Sequence, residues 1–208
     1  MDILYQGHSS LRLTTKSGTV VYLDPCAGQG YEMPADIILV THLHGDHSMV
    51  NKPARKPECV VLDSRYMLVD KDYKTVRILD VYIEAVPAYN RNHRKSECVG
   101  YLVFADGVRC YFSGDTSKIP EMEALHARDL DYAFFAADGF YNMDAVEAAE
   151  CAEIVGAKHS TPIHTVPYHG SIEELFGEET AGRFRPEGRL IIRPGETITA
   201  VPEPGSVS

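Results

Sequence analysis

The chain has 208 residues, enough for a substantial buried core, and the expectation is one domain spanning residues 1–208. A hydrophobic fraction of 44% with 24% charged residues excludes a disordered or low-complexity polymer. Thirty acidic against twenty basic residues give a formal net charge of -10, a field that repels nucleic-acid phosphates and anionic membrane surfaces, so neither partner is expected.

In chain order, the start MDILYQGHSS carries an acidic second residue and no apolar core of a signal peptide. Leu11 to Thr15 and Thr19 to Leu23 flank Lys16-Ser17-Gly18 and read as a hairpin. Ile37 to Thr41 is a continuous apolar run, the pattern of a strand buried on both faces. Further strands are expected at Cys59 to Leu62, Val81 to Pro87, Val99 to Ala105, Val108 to Phe112 and Asp131 to Ala136. Ser160 to Ile163, Arg189 to Arg193 and Thr197 to Val201 complete the set. The clearest helix is Ala145 to Val155, where Ala148, Cys151, Ala152 and Val155 share one face. Asp144 with Glu147 three residues on has the form of a capping box, and Gly156 is a natural stop. Weaker helices are expected around Arg65 to Val69, Pro120 to His126 and Ile172 to Phe176, and the tail PEPGSVS is expected to fray. The sequence has no internal repeat.

Five cysteines (Cys26, Cys59, Cys98, Cys110, Cys151) form no C-x-x-C pair and are odd in number, which argues against a disulfide framework. No stretch approaches the ~18 apolar residues of a membrane span. A cytoplasmic location is the expectation.

Chemistry concentrates in Thr41-His42-Leu43-His44-Gly45-Asp46-His47, where three imidazoles and one carboxylate follow a buried strand. Gly45 is expected to let this loop turn sharply. A polar surface loop could carry an isolated H-x-H by chance. Crowding this many borderline donors into one loop instead suits a cation such as zinc. Asp115 after Val108 to Phe112, and His164 after Ser160 to Ile163, also stand at strand ends, though a turn-forming aspartate and an ordinary histidine are the plainer readings of each alone.

The segment Thr41 to His47 resembles the T-H-x-H-x-D-H hallmark of the metallo-β-lactamase superfamily. Leu23-Asp24-Pro25, Ser113-Gly114-Asp115-Thr116 and Pro162-Ile163-His164 resemble that family's later motifs. Gly7 to Leu13, Val86 to Asn90, Gly114 to Met122 and Tyr141 to Met143 are similar to a bacterial and archaeal branch of small hydrolases akin to the ascorbate-phosphate lactonases. The resemblance implies an α+β fold, a four-layer αββα sandwich with metals at one edge. It implies a metal-dependent hydrolase using a hydroxide shared by two divalent transition metal ions, zinc first, with manganese or iron as alternatives. His42, His44 and a downstream histidine would hold one metal, Asp46, His47 and His164 the other, and Asp115 would bridge. His93 is the choice for the downstream ligand, with Asn90 the rival, because imidazole binds zinc better than a neutral amide. Asp46 is also assigned the catalytic proton transfer.

Asp24 is expected to orient a ligand histidine or to fix the metal-bearing loop, and His8 and Tyr141 to line the substrate pocket or to fill a structural role. Tyr89 and Asp138 stand beside them, His126, His159 and His169 read as surface residues, and Cys26 as a small buried hydrophobe. The expected substrate is a small ester, a lactone or a phosphorylated sugar derivative. Phosphodiester cleavage is the alternative, followed by flavo-diiron redox chemistry and metal binding without turnover.

Overall fold

The computed structural model describes residues 1–172 and 174–202. Its first half runs β1 (Asp2–Gly7), β2 (Ser10–Thr14), β3 (Val20–Leu23), β4 (Ala35–Leu39), β5 (Arg55–Leu62) and the short helix α1 (Ser64–Met67). Two-residue strands β6 (Leu68–Val69) and β7 (Asp72–Tyr73) form a small hairpin before β8 (Thr75–Ile78), β9 (Val81–Pro87), β10 (Val99–Ala105) and β11 (Val108–Phe112). A 3-10 helix (Pro120–Arg128) leads to β12 (Tyr132–Ala136), α2 (Ala145–Val155), β13 (His159–Ile163), α3 (Glu178–Arg183) and β14 (Thr197–Thr199).

These strands make two six-stranded mixed sheets, ordered β14-β1-β2-β3-β4-β5 and β13-β12-β11-β10-β9-β8. From β1 to β5 the successive pairings are antiparallel, antiparallel, parallel, parallel, and β9 to β13 repeat that sequence. The architecture is therefore duplicated even though the amino-acid sequence has no repeat. Inward side chains of both sheets, among them Ile3, Leu13, Val21, Ile37, Tyr101, Phe112 and Phe134, form one core between them. Phe112 and Phe134 lie nearly parallel there, 4.9 Å apart.

The other face of the second sheet, with Leu102, Tyr111, Ala133 and Phe135, is covered by α2 and the 3-10 helix. The outer face of the first sheet, Tyr22, Ile38 and Val40, is covered by Tyr31, Met33 and Val50 from connecting segments. Strict alternation explains the double layer: Val21 and Leu23 point inward while Val20 and Tyr22 point outward.

Several expectations change. Helix α2 has the expected limits, and Asp144 accepts from the amides of Val146 and Glu147, but Glu147 accepts from the Lys118 amide (2.8 Å) instead of closing the capping box. Pro120–Arg128 is a 3-10 helix, α1 ends at Met67, and the described residues around Ile172 and Phe176 form no helix. Arg189 to Arg193 is not a strand. Arg189 makes a single bridge to Ser160 before the chain bends at Pro194-Gly195. Strands β1 and β8 and helix α3 had no sequence expectation. Of the tail expected to fray, 203–208 lie outside the described residues. Among the described residues no helix is long and apolar enough to cross a membrane.

Candidate metal centre

The chemistry-bearing side chains gather where strands end. Asp24 directly follows β3, His42 to His47 follow β4, Asp115 follows β11, Asp138 follows β12 and His164 directly follows β13. The parallel pairing of β3 with β4 and of β11, β12 and β13 puts these carboxyl ends at one rim of the sandwich. Three of the residues there, His8, Asp24 and His164, hold left-handed backbone angles (φ 52°, 41° and 47°), conformations that persist only where surroundings enforce them.

His42, His44 and His93 bring ligand atoms within 4.8 Å of one another, and so do Asp46, His47, His164 and His8. Asp115 stands between the two groups: Oδ1 lies 3.5 Å from His47 Nε2, and Oδ2 lies 3.4 Å from His93 Nε2 and 3.7 Å from His164 Nε2. All seven residues singled out as metal-binding in the sequence thus meet at one place. Gly45 has no special role in this loop. It is outside the left-handed region, and a Cβ there would meet nothing within 4 Å. The turn is closed instead by the His47 amide donating to His44 O (3.1 Å).

One buried carboxylate aims two of the histidines. Asp24 Oδ2 accepts from His47 Nδ1 (2.8 Å) and from Thr41 Oγ1 (2.7 Å), while Oδ1 accepts from the Thr41 amide (2.8 Å). Thr41 Oγ1, its own proton given to Asp24, accepts from His42 Nδ1 (3.0 Å). With a cation in the cluster, the network would keep the proton of both imidazoles on Nδ1 and turn their Nε2 lone pairs inward.

Asn90 does the same for His93. Its Oδ1 accepts from His93 Nδ1 (3.0 Å), and its amide donates to Tyr141 O (3.0 Å) and Asn142 Oδ1 (3.2 Å). Asn90 therefore faces away from the cluster and holds the histidine that faces in. Asp138 stands 3.2 Å from His164 Nδ1, and its Oδ1 accepts from the amides of Phe140 (2.6 Å) and Tyr141 (2.7 Å), shaping the loop above the site.

Asn142 escaped the sequence reading, although it lies inside the Tyr141 to Met143 motif. It donates from Nδ2 to Asp115 Oδ2 (3.0 Å) and Asp138 Oδ2 (2.8 Å). Nothing local marks it, because the contact depends on how β11 and β12 pair. Of the remaining candidates, Tyr89 donates to Glu121 (3.1 Å), His126 and His169 are exposed, and Cys26 is buried beside Ser10.

Electrostatically the cluster is built for positive charge. Burial disfavours a proton on His47, but Asp115, Asp24 and Asp46 outweigh it and raise its pKa to about 10. Burial, with the neighbouring His47, drives His42 well below the usual imidazole range, and burial with His164 lowers His8 to about 4. Burial also opposes ionisation of Asp115, yet His47, His164, His42 and His93 hold it well below the carboxylate range.

Among the described residues, the buried atoms His47 Nε2 and Asp115 Oδ1, 3.5 Å apart, are two of those without a hydrogen-bond partner. Such orphans are costly in a protein interior, and a cation between them satisfies both. Imidazole and carboxylate are the donor set of zinc and its neighbours.

A cleft of about 540 Å³ opens onto the cluster, bounded by Leu43, Asp46, Asn92, Tyr141, His164 and Tyr168. No Lys or Arg side chain lines it. An adjoining cleft of about 300 Å³ beyond His44 and His93 includes Arg65 and Arg94, paired with Asp63 (2.5 Å) and Glu97 (3.2 Å).

The sequence profile of the β-lactamase superfamily domain matches residues 2–164. A UPF0173 metal-dependent hydrolase of Nitratidesulfovibrio vulgaris (strain DP4) is 30% identical, with 95% of this chain and 94% of that protein covered. A candidate metal-dependent hydrolase of Parabacteroides distasonis has a similar crystal structure, with 28% identity, 91% of this chain and 90% of that one covered, and a TM-score of 0.71. Igni18, a metallo hydrolase of Ignicoccus hospitalis, shares the fold at 19% identity and a TM-score of 0.69, with 95% and 97% covered.

Proposed function

Because the chain belongs to the β-lactamase superfamily, among its UPF0173 metal-dependent hydrolases, we propose that it is a dinuclear hydrolase of small uncharged esters, lactones above all. The observation that carries the two-metal reading is Asp115, within 3.4–3.7 Å of imidazoles from both groups. His42, His44 and His93 would hold one ion, Asp46, His47 and His164 the second, and Asp115 both. Two such ions, zinc first by donor set, supply Lewis acidity and bring the pKa of water toward neutrality.

The protein's own residues do the rest. Asp24, Asn90 and Asn142 keep the ligands aimed. Asp46, buried but bordering the cleft, has Oδ2 engaged by His8 at 3.1 Å, while among the described residues no donor engages Oδ1. Asp46 is held ionised, since His8, His47 and His164 outweigh the effect of its burial, so Oδ1 takes a proton only in passing. It relays the proton lost by the attacking water to the leaving alkoxide, and ester plus water becomes acid plus alcohol.

Leu43, Tyr141 and Tyr168 would pack the apolar part of a small substrate. Beyond the metal ions themselves the cleft carries no lysine or arginine to take up further phosphate charge, which favours an uncharged ester over a phosphodiester or sugar phosphate, and the arginines next door already have carboxylate partners. The test is a panel of lactones, thioesters, β-lactams and phosphodiesters offered to metal-loaded protein. Lactone or ester turnover leads on this reading; phosphodiester turnover far above it would reverse the assignment.

A further inference from the structure

His8 lies outside the ligand set, yet it is buried against two of its members. Its Nε2 is 3.1 Å from Asp46 Oδ2, and its ring centroid is 3.6 Å from that of His164 at an interplanar angle of 41°. The geometry points to His8 as a positioning residue that braces His164 by close, tilted ring contact and fixes Asp46 by donating Nε2–H. The inference rests on reading Asp46, His47 and His164 as one metal position.

A role as a further metal ligand fits less well. Two imidazoles sharing a metal at about 2.1 Å radiate from it, which sets their centroids roughly 4.5–5 Å apart. Pairs among His42, His44 and His93 are separated by 4.5, 4.8 and 5.0 Å, and His47 and His164 by 5.5 Å. At 3.6 Å, the tilted rings of His8 and His164 are in direct contact and do not spread from a shared centre.

The backbone holds His8 for this task. Its left-handed φ of 52° is kept by three hydrogen bonds: its amide donates to Leu175 O (2.9 Å), and its carbonyl accepts from Tyr5 Oη (2.9 Å) and the His164 amide (2.7 Å). The last bond ties the β1–β2 turn directly to the residue that follows β13. His8 thus couples ligands from opposite sheets, Asp46 after β4 and His164 after β13, through one side chain and one carbonyl.

The experiment loads the full chain and its His8→Ala and His8→Gln variants with cobalt(II). Each equivalent is followed by chelator competition and by its visible absorption. Wild type takes up two equivalents. His8→Ala also binds two, the second about 10–100-fold more weakly and with a changed absorption band, while the first is unaltered. His8→Gln, whose amide N–H can replace the lost donor, recovers most of that loss.

Complete loss of the second equivalent from both variants would make His8 a ligand and overturn the proposal. Wild-type affinity and absorption in His8→Ala would overturn it too, leaving His8 as filler. Wild-type protein that takes up fewer than two equivalents would sink the underlying two-metal reading, and that result is visible without either variant.

Discussion

Asp24 touches neither group of cluster atoms as a ligand, yet it serves a histidine in each, so Asp24→Asn is expected to weaken both metal positions at once. Its Oδ2 accepts from His47 Nδ1 and Thr41 Oγ1 at 2.8 and 2.7 Å. An amide in the same place has one acceptor oxygen, so either these donors or the Thr41 amide lose their partner. Asparagine tolerates the φ of 41° at this site, so the backbone should stay and the effect should be electrostatic. Loss of an orienting partner costs about 10–100-fold in metal affinity, or about 1.4–2.8 kcal/mol at ~1.4 kcal/mol per decade. The larger share should fall on the position of His47, which loses its partner directly, and the smaller on that of His42, reached through Thr41. Chelator competition on folded protein measures both. Wild-type affinity at both positions, or a loss confined to the His42 position, would refute this account of Asp24.

Further outcomes follow from the same geometry. His93→Ala should remove one metal equivalent, whereas Asn90→Ala, which only frees the ring held at 3.0 Å, should weaken that equivalent by about 10–100-fold; the reverse order in a metal titration would make Asn90 the ligand. Gly114 has φ +60°, and a Cβ there would stand 2.7 Å from Val99 O, so Gly114→Ala should lower unfolding stability by at least about 1 kcal/mol and displace Asp115; an unchanged denaturation midpoint would contradict it. His47 is raised from 6.5 to about 10 in metal-free protein, so its contribution to stability is fully present below about 6.5 and is lost as pH rises through about 10. Metal uptake near neutral pH should accordingly expel a proton from His47 and tighten as pH rises, which calorimetry in buffers of different ionisation enthalpy measures. With a lactone substrate, Asp46→Asn should lower kcat more than it raises KM, because proton relay matters mainly in the transition state.

The ligand loop was legible because its signal is local: a buried strand of Ile37, Ile38 and Leu39 runs straight into His42 to His47. Asp115 and His164 were legible as strand-end residues once the family resemblance was in view. Asp24 was legible as an orienting carboxylate, but that His47 is the histidine it holds was not; nor were Asn142, the contact of His8 with Asp46 or that of Asp138 with His164, because each is made by chain segments brought together through sheet pairing. Asp24 and His47, for example, meet only because β3 and β4 run parallel. Strand β1 escaped notice although Ile3 and Tyr5 face the core, since Gln6, Gly7 and His8 blur its end. Arg189 to Arg193 misled in the opposite direction: its short apolar run Leu190-Ile191-Ile192 resembles a strand, but the chain leaves the sheet after one bridge.

Metal content tests the central claim most directly. Protein saturated with zinc and then freed of excess should hold about two equivalents per chain, and His42→Ala and His164→Ala should each lower that by about one while far-ultraviolet circular dichroism stays unchanged. A folded wild-type protein with no tightly held zinc, manganese or iron, or variants that retain both equivalents, would contradict it.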